Sequence, residues 1–193
     1  MQELKERIVK EGKVLPGNII KVDGFLNHRI DTELMTHIAE EFGRHFNMDE
    51  VTMILTAEAS GIALSAIVAQ HFHKPMIFAK KAKSDNIEGG LYQSEIFSYT
   101  YKKKVTLLVA KDWISADDKV LIIDDFMANG EAMRGLCDIV EKSGATLVGI
   151  GCAVEKGFQG GGDRLRKAGY NLKSLAIIEK AEPGDIVFRD DED

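Results

Sequence analysis

The sequence contains little cysteine, little proline and no long apolar run. Its 193 residues include two cysteines and three prolines. Cys137 and Cys152 form no CxxC pair and lie in apolar contexts, so we predict two buried free thiols. No window approaches 18 apolar residues, and we therefore expect no membrane-spanning segment and no membrane partner.

Positive charge is also scarce. The chain has 25 lysines and arginines against 31 aspartates and glutamates, a formal net charge of −6. Because a nucleic-acid surface needs clustered basic residues, this balance argues against nucleic acid as a partner. A small phosphorylated ligand needs only a local positive site. The charged start of the chain lacks the apolar region of a targeting signal, which together with the free thiols predicts a cytoplasmic location.

What remains is the composition of an ordinary globular domain. Hydrophobic residues make up 45% of the chain and charged residues 29%, which excludes disordered, collagen-like and coiled-coil classes. The length suits one domain with a core of its own. We therefore predict a single domain over residues 1–193.

Apolar runs alternate with helical patterns along the chain. Buried strands are predicted at 52–56, 76–79, 119–123 and 146–154, and helices at 32–46, 61–72 and 130–143. Two alternating segments, 91–99 and 105–110, predict a hairpin. Strands that are apolar throughout indicate a parallel sheet covered on both faces, and such sheets bind ligands at the carboxyl ends of their strands.

The most informative segment follows the apolar run that ends at Ile123. Two adjacent carboxylates, Asp124 and Asp125, lie at the tip of this predicted strand, and the small residues of 128–132 then open a helix. Carboxylates accept hydrogen bonds from hydroxyls, and the free amides of a helix N-terminus form an anion site. A ribose 5-phosphate would satisfy both, whereas the alternative is an ordinary strand–turn–helix with acidic capping residues.

This segment resembles the signature with which type I phosphoribosyltransferases bind phosphoribosyl pyrophosphate (PRPP). Asn129 stands where threonine is usual in that signature. Further matches occur in order along nearly the whole chain: KVDGFLNHRID at 21–31, EASGIA at 58–63, FAKK at 78–81 and VEKGFQ at 154–159. Several separate motifs in order are far more specific than one.

The resemblance implies the fold and the location of the PRPP site. It implies an α/β fold with a mostly parallel central sheet, flanking helices, and a small hood formed by about residues 1–35 and parts of the C-terminal region. Asp124 and Asp125 would be the catalytic residues that hold the ribose hydroxyls. The residues implied to bind the phosphates of PRPP are Ala128, Asn129, Gly130, Glu131, Ala132, Ala59, Ser60, Gly61, Lys80 and Lys81.

Within that set, the loop 128–132 would wrap the 5-phosphate and the loop 59–61 would bind pyrophosphate. Lys80, Lys81 and Lys83 would supply positive charge near the leaving group, although a run of lysines is also typical of a solvated loop. Lys80 stands where arginine is expected in relatives. A lysine makes a poorer bidentate contact than an arginine does.

Four residues are implied to bind the purine. Lys156 would donate to the 6-oxo group, Phe158 would stack on the ring, and Ile20 and Asn27 of the hood would close over the base. Taken singly, Lys156 is more typical of a surface lysine, and Phe158 is at least as typical of a core aromatic. The run Gly160-Gly161-Gly162 lacks a dinucleotide pattern and predicts a flexible turn.

The function implied is transfer of the phosphoribosyl group from PRPP to a 6-oxopurine, with xanthine the expected acceptor and pyrophosphate the second product. Mg²⁺ would be the cofactor, held mainly by PRPP and not by protein ligands, and the protein would be a homodimer. The segment from about Lys83 to Tyr99 would close over the site, with Ser94 and Tyr99 as candidate contacts. The alternatives are a hypoxanthine/guanine or adenine enzyme of the same family, and a non-catalytic regulator that senses PRPP.

Overall fold

The computed structural model describes residues 1–81, 90–98 and 103–190, so Lys83 and Tyr99 lie outside the described residues. The strands are β1 Lys13–Leu15, β2 Ile19–Lys21, β3 Met53–Ala57, β4 Met76–Ala79, β5 Leu91–Ser98, β6 Lys103–Ala110, β7 Lys119–Met127, β8 Thr146–Lys156, β9 Leu172–Glu182 and β10 Asp185–Phe188. The helices are α1 Gln2–Glu11, α2 Thr32–His45, α3 Gly61–His71, α4 Glu131–Ser143 and α5 Gly161–Lys167.

Across the described ranges, the central sheet has six strands in the order β10-β9-β8-β7-β3-β4. The five strands from β9 to β4 pair in parallel, and β10 pairs antiparallel with β9 at one edge. The central strands are buried on both faces, as the burial of consecutive residues from Val120 to Asp125 in β7 shows. The prediction of an α/β fold with a mostly parallel sheet is therefore confirmed.

Two apolar cores lie on the two faces of this sheet. One contains side chains of α1, α2 and α3, among them Leu4, Phe42 and Leu64. The other contains side chains of α4 and of the antiparallel pair β5–β6, including Leu136 and Leu107. The sheet is thus held between helices on one face and a helix with a hairpin on the other.

Local sequence signals account for the start of α2 and the end of α4. Asp31 caps α2, and its side chain accepts a hydrogen bond from the Leu34 amide at 3.1 Å. Gly144 ends α4 in the left-handed conformation with a φ of 78°, which favours glycine. The predicted helices at 32–46 and 130–143 are confirmed to within one residue at each end.

The structure differs from the sequence-based expectations at two places beside the site. Strand β7 continues to Met127, four residues past its predicted end, because β8 offers backbone partners up to Glu155 along this ladder. Asp124 and Asp125 therefore belong to the strand and do not follow it. The glycine run at 160–162 is not a turn throughout, since Gly161 and Gly162 form the first turn of α5.

The N-terminal residues are attached to the sheet. The α-amino group of Met1 donates to the Leu175 carbonyl of β9 at 2.7 Å, and Leu4 and Ile8 of α1 are fully buried. The limits of the predicted hood and the single-domain boundary stay predictions.

Both cysteines are buried and free, as predicted. Burial raises the pKa of Cys137 to about 12 and raises that of Cys152 well above its ordinary value. Both thiols are therefore protonated and unreactive at neutral pH. Among the helices of the described ranges, none has the length and apolar character needed to cross a membrane.

Candidate active site

A cavity of about 370 Å³ opens where the carboxyl ends of β3, β7 and β8 meet. Its wall includes Ala57 at the end of β3, Glu58 and Ser60 after it, the segment 124–133, and Lys156 at the end of β8. Lys81 and three hairpin residues, Ile96, Phe97 and Val105, complete the described lining. The volume is in the range of small-molecule sites, and the position is the one that parallel sheets use for ligands.

The two carboxylates at the end of β7 are buried in this wall. Asp124 is 7% exposed and Asp125 is 1% exposed. Burial, and then the negative charge of Asp125, raise the pKa of Asp124 well above its ordinary value. The Asp125 amide donates to Asp124 Oδ1 at 3.0 Å, and Ser60 Oγ donates to Asp125 Oδ1 at 2.8 Å.

One oxygen of this pair lacks a protein donor. Asp125 Oδ2 is buried and accepts no hydrogen bond within the part of the chain that the structure describes. A buried acceptor without a donor costs free energy unless a ligand or water supplies one. The arrangement therefore suits a ligand hydroxyl.

The first residue of α3 allows this strand end to approach the helix. A Cβ added to Gly61 would lie 2.2 Å from Asp124 Oδ1 and 2.3 Å from Thr56 Oγ1. Only glycine fits between the two oxygens without a shift of the backbone or the carboxylate. Gly61 therefore shapes the acidic pair, whereas Ser60 is the residue of the 59–61 loop that borders the cavity.

The loop 128–132 borders the cavity with all five of its residues, and its last two residues are the first two of α4. Gly130 has a φ of 76°, a left-handed conformation that glycine adopts without strain. The first amides of α4 have no partner within the helix, so the loop presents hydrogen-bond donors as an anion site does. The Glu131 carboxylate accepts from Arg134 at 3.0 Å, and this hydrogen bond is the chief cause of its lowered pKa.

The glycines at 160–162, which follow β8, include one that packs closely against the loop 128–132. A Cβ on Gly161 would lie 2.3 Å from the Ala128 carbonyl oxygen and 2.7 Å from the Gly130 nitrogen. A Cβ on Gly162 would lie 2.0 Å from the Glu155 carboxylate. Glycine is needed at both positions for α5 to pack this closely, and the sequence pattern alone did not indicate that role.

The two lysines of the FAKK motif take different positions. Lys81 borders the cavity, and its backbone amide donates to the Glu58 carboxylate. Lys80 is not among the described lining residues. Its backbone forms a β-bridge with Leu108 of the hairpin, through hydrogen bonds of 2.9 and 2.8 Å. The structure thus places Lys81, and not Lys80, beside the acidic pair.

Lys156 borders the cavity at its other end. Its ammonium group donates to the Asn18 carbonyl at 3.2 Å and lies 5.4 Å from the centroid of the Phe126 ring. Burial lowers the pKa of Lys156. Phe126 itself borders the cavity, although sequence reasoning gave it no role. Continuing the alternation of β7 past Asp124 would have identified it, because residues two apart share one face of a strand.

The other three predicted purine contacts do not border this cavity among the described residues. Ile20 is 7% exposed and belongs to an apolar core, and Phe158 packs against that same core. Asn27 ends a short π-helical segment, Asp23–Asn27. Their predicted contacts with the base stay predictions. The Asn18–Lys156 hydrogen bond does bring the β1–β2 turn to the purine end of the predicted site.

The hairpin contributes apolar side chains to the cavity. Ile96 and Phe97 of β5 and Val105 of β6 border it. Ser94, a predicted substrate contact, is 2% exposed, and its hydroxyl hydrogen-bonds Asp138 of α4. In this structure Ser94 attaches the hairpin to α4.

The site therefore combines buried acceptors for hydroxyls, an amide-rich loop for an anion, and lysines at two ends of one cavity. Comparison with known proteins gives the class. The model of the phosphoribosyl transferase domain matches residues 22–179, and the chain belongs to this family.

Relatives within the family are similar over almost their whole length. The xanthine phosphoribosyltransferase of Bifidobacterium animalis subsp. lactis is 52% identical over 192 residues, which cover 98% of this chain and 100% of that protein. The xanthine phosphoribosyltransferase of Lachnoclostridium phytofermentans is also 52% identical, over 99% of this chain and 100% of its own.

Solved structures agree on the fold. The adenine phosphoribosyltransferase of Giardia lamblia matches with a TM-score of 0.74 at 19% identity, over 90% of this chain and 96% of that one. The Trypanosoma brucei adenine phosphoribosyltransferase, solved with AMP, pyrophosphate and ribose 5-phosphate, matches with a TM-score of 0.71 at 23% identity, over 90% and 79%. The expected type I phosphoribosyltransferase fold is thereby confirmed.

Proposed function

We propose that the protein is a purine salvage enzyme that transfers the 5-phosphoribosyl group of PRPP to xanthine, which yields xanthosine 5'-monophosphate and pyrophosphate. The observation that carries this proposal is the meeting of Asp124, Asp125, the loop 128–132 and Lys156 around one cavity. The sequence is 52% identical to each of two xanthine phosphoribosyltransferases over their full lengths, and this supports xanthine as the acceptor.

In this proposal the PRPP ribose lies against the acidic pair. The free Oδ2 of Asp125 and the carboxylate of Asp124 accept from the 2- and 3-hydroxyls, and the amides of 128–132 donate to the 5-phosphate. Lys81 and the loop 59–61, which contains Ser60, face the pyrophosphate. Lys80, whose backbone is hydrogen-bonded to Leu108 of the hairpin, stays a predicted contact of the pyrophosphate.

The reaction is a substitution at C1 of the ribose. A purine ring nitrogen forms a bond to C1 while the bond from C1 to the pyrophosphate oxygen breaks, and the electron pair leaves with pyrophosphate. The proton of that nitrogen passes to a pyrophosphate oxygen or to solvent water. The transition state has oxocarbenium character, as in glycosyl transfer generally, so carboxylates beside the ribose stabilise the charge that develops there.

Magnesium fits the chemistry of this cavity. The carboxylate oxygens of Asp124 and Asp125 are hard donors of the type that Mg²⁺ prefers. We infer that the ion enters with PRPP and is held mainly by PRPP oxygens. A magnesium ion held in this way would offset the negative charge of the pyrophosphate leaving group.

The purine end of the cavity suits a base with an acceptor at position 6. Lys156 has donors only, so it matches the 6-oxo group of xanthine and not the amine of adenine. Phe126, beside the Lys156 ammonium, offers an apolar face for the base. Asn27 has both a donor and acceptors, and we propose that it approaches the 2-oxo group when the hood closes.

We also propose that the protein works as a homodimer in the cytoplasm. The family resemblance supports the dimer, and Phe78 and Trp113 supply exposed apolar surface, at 37% and 67% exposure. The buried free thiols suit a reducing compartment. Sedimentation of the protein at micromolar concentration tests the dimer.

Pyrophosphate release tests the activity. The protein is incubated with PRPP and Mg²⁺ and with xanthine, hypoxanthine, guanine, adenine or uracil, each separately. We expect the highest kcat/KM for xanthine, and the Asp124→Asn/Asp125→Asn double variant should lose most activity while keeping its fold. Binding of PRPP without release from any base would indicate a regulator, and preference for another base would indicate a different member of the family.

A further inference from the structure

Arg164 of α5 contacts the phosphate loop from outside the cavity. Its Nη2 donates to the Asn129 carbonyl at 3.1 Å, and its Nη1 donates to the Gln159 carbonyl at 3.4 Å. The residue is exposed and is not among the described residues that line the cavity. One guanidinium therefore joins the loop after β7 to the loop after β8.

The contact fixes the orientation of one peptide group. Within the described ranges, Glu58–Ala59 is the cis peptide bond, so the bond between Asn129 and Gly130 is trans. In a planar trans peptide the carbonyl and the following N–H point in opposite directions. Because Arg164 holds the Asn129 carbonyl, the Gly130 N–H must point away from Arg164, on a loop that borders the cavity.

The peptide between Asn129 and Gly130 would rotate easily without the hydrogen bond from Arg164. Gly130, with its φ of 76°, has access to conformations that other residues avoid, so rotation of the 129–130 peptide is cheap in the unrestrained loop. A rotated peptide would present a carbonyl oxygen to an anion and withdraw a donor. The charge of Arg164 reaches the loop as well: the pKa of Glu131 is lowered chiefly by Arg134 and in smaller part by Arg164.

We propose that Arg164 is a positioning residue for the 5-phosphate of PRPP, acting through the Asn129 carbonyl to keep the Gly130 amide available as a donor. The inference rests on the proposed function only for the identity of the ligand. The chemistry recognised is a phosphate monoester, and free ribose 5-phosphate carries it without the pyrophosphate group.

Calorimetry of Arg164→Ala, Arg164→Lys and Lys167→Ala tests the proposal, with ribose 5-phosphate and magnesium pyrophosphate as separate probes. Lys167 is an exposed cation on the same helix and serves as the matched control. For Arg164→Ala we expect Kd for ribose 5-phosphate and KM for PRPP to rise roughly fivefold to tenfold, the effect of about 1 kcal/mol. Pyrophosphate affinity and kcat at saturating PRPP should stay within about twofold. Arg164→Lys should recover part of the loss, and Lys167→Ala should resemble the wild type.

Of the four outcomes that would overturn the proposal, three concern the variants. These are unchanged ribose 5-phosphate binding in Arg164→Ala, an equal loss of ribose 5-phosphate and pyrophosphate binding, and the same loss in Lys167→Ala. A wild-type protein that fails to bind ribose 5-phosphate would also overturn it. Absence of turnover with xanthine, alongside an Arg164-dependent affinity for ribose 5-phosphate, would refute the proposed function and leave this inference standing.

Discussion

At the scale of single residues, the acidic pair explains most of the site's character. Asp124 and Asp125 are buried side by side, and the hydroxyl of Ser60 and one backbone amide are the donors that the structure shows on them. Burying like charges so close together disfavours their ionised form. The pair therefore lowers the stability of the folded protein at neutral pH when no ligand is bound. A ligand with two hydroxyls relieves that destabilisation.

Asp124→Asn should separate stability from activity. Because burial and Asp125 raise the pKa of Asp124 in the folded state, its ionised form lowers stability above that pKa. The variant should therefore melt at a higher temperature than the wild type at pH 8, while kcat/KM for PRPP falls. The gain should fade as the pH drops through the raised pKa, where Asp124 becomes neutral.

Thermal melts from pH 8 down to pH 4, together with initial rates, measure both effects. Ser65→Ala is a control for loss of a buried hydrogen bond on α3, since Ser65 Oγ donates to the Ile123 carbonyl at 3.1 Å. A variant that melts lower than the wild type at pH 8, or one that keeps full activity, would contradict this view of Asp124.

Lys156→Ala tests the purine end. The side chain is half-buried beside Phe126 and borders the cavity at the end assigned to the base. Loss of a hydrogen bond from a charged donor should cost about 1.5–3 kcal/mol in kcat/KM for xanthine, hypoxanthine and guanine alike. In contrast, Asn27→Ala should narrow the gap between xanthine and hypoxanthine. Full xanthine activity in Lys156→Ala would remove this lysine from base recognition.

At the scale of elements, the site depends on the close approach of two helix backbones to the end of β7. α3 approaches Asp124 through Gly61, and α5 approaches the phosphate loop through Gly161. Both contacts bring helix backbone within reach of the end of β7, where a side chain would hold the elements apart. The cavity wall thus depends on two glycines as much as on the polar residues beside it.

Gly161→Ala should damage the phosphate loop without touching any ligand. Its Cβ would lie 2.3 Å from the Ala128 carbonyl oxygen, so α5 or the loop must move. We expect a loss of about 1–3 kcal/mol in unfolding free energy, the usual effect of overpacking, and a raised KM for PRPP. Gly24→Ala is the matched control for stability, because its added Cβ meets nothing within 4 Å. Denaturant unfolding and PRPP titration check both expectations, and equal effects in the two variants would refute this account of Gly161.

Sequence reasoning predicted the elements better than it predicted their contacts. Apolar runs and caps indicated β3, β4, α2 and α4 closely, because periodicity and capping are local signals. The extension of β7 to Met127 was missed, since it depends on the ladder that β8 provides. The helical start at Gly161 was missed for the same reason: close packing against a distant loop is not encoded in the run of glycines itself.

At the scale of the whole molecule, the fold brings together in one cavity charged side chains that lie far apart in the sequence. Lys81 and Lys156 come from segments 75 residues apart and border the same cavity, because parallel strands bring their carboxyl ends to one edge. Sequence resemblance supplied the family and the order of motifs. The placement of Ile20, Asn27 and Phe158 outside the described cavity wall depends on how the hood packs, which no local pattern determines.

The central claim is that this cavity joins PRPP to xanthine in preference to other purines. A competition assay measures it directly: equal concentrations of xanthine, hypoxanthine, guanine and adenine are mixed with Mg²⁺ and limiting PRPP, and the nucleoside monophosphates are quantified by mass. Their ratio at low conversion equals the ratio of the kcat/KM values. We predict that xanthosine 5'-monophosphate is the main product and that adenosine 5'-monophosphate is the least. A mixture dominated by any other nucleoside monophosphate, or no nucleotide at all, would contradict the account.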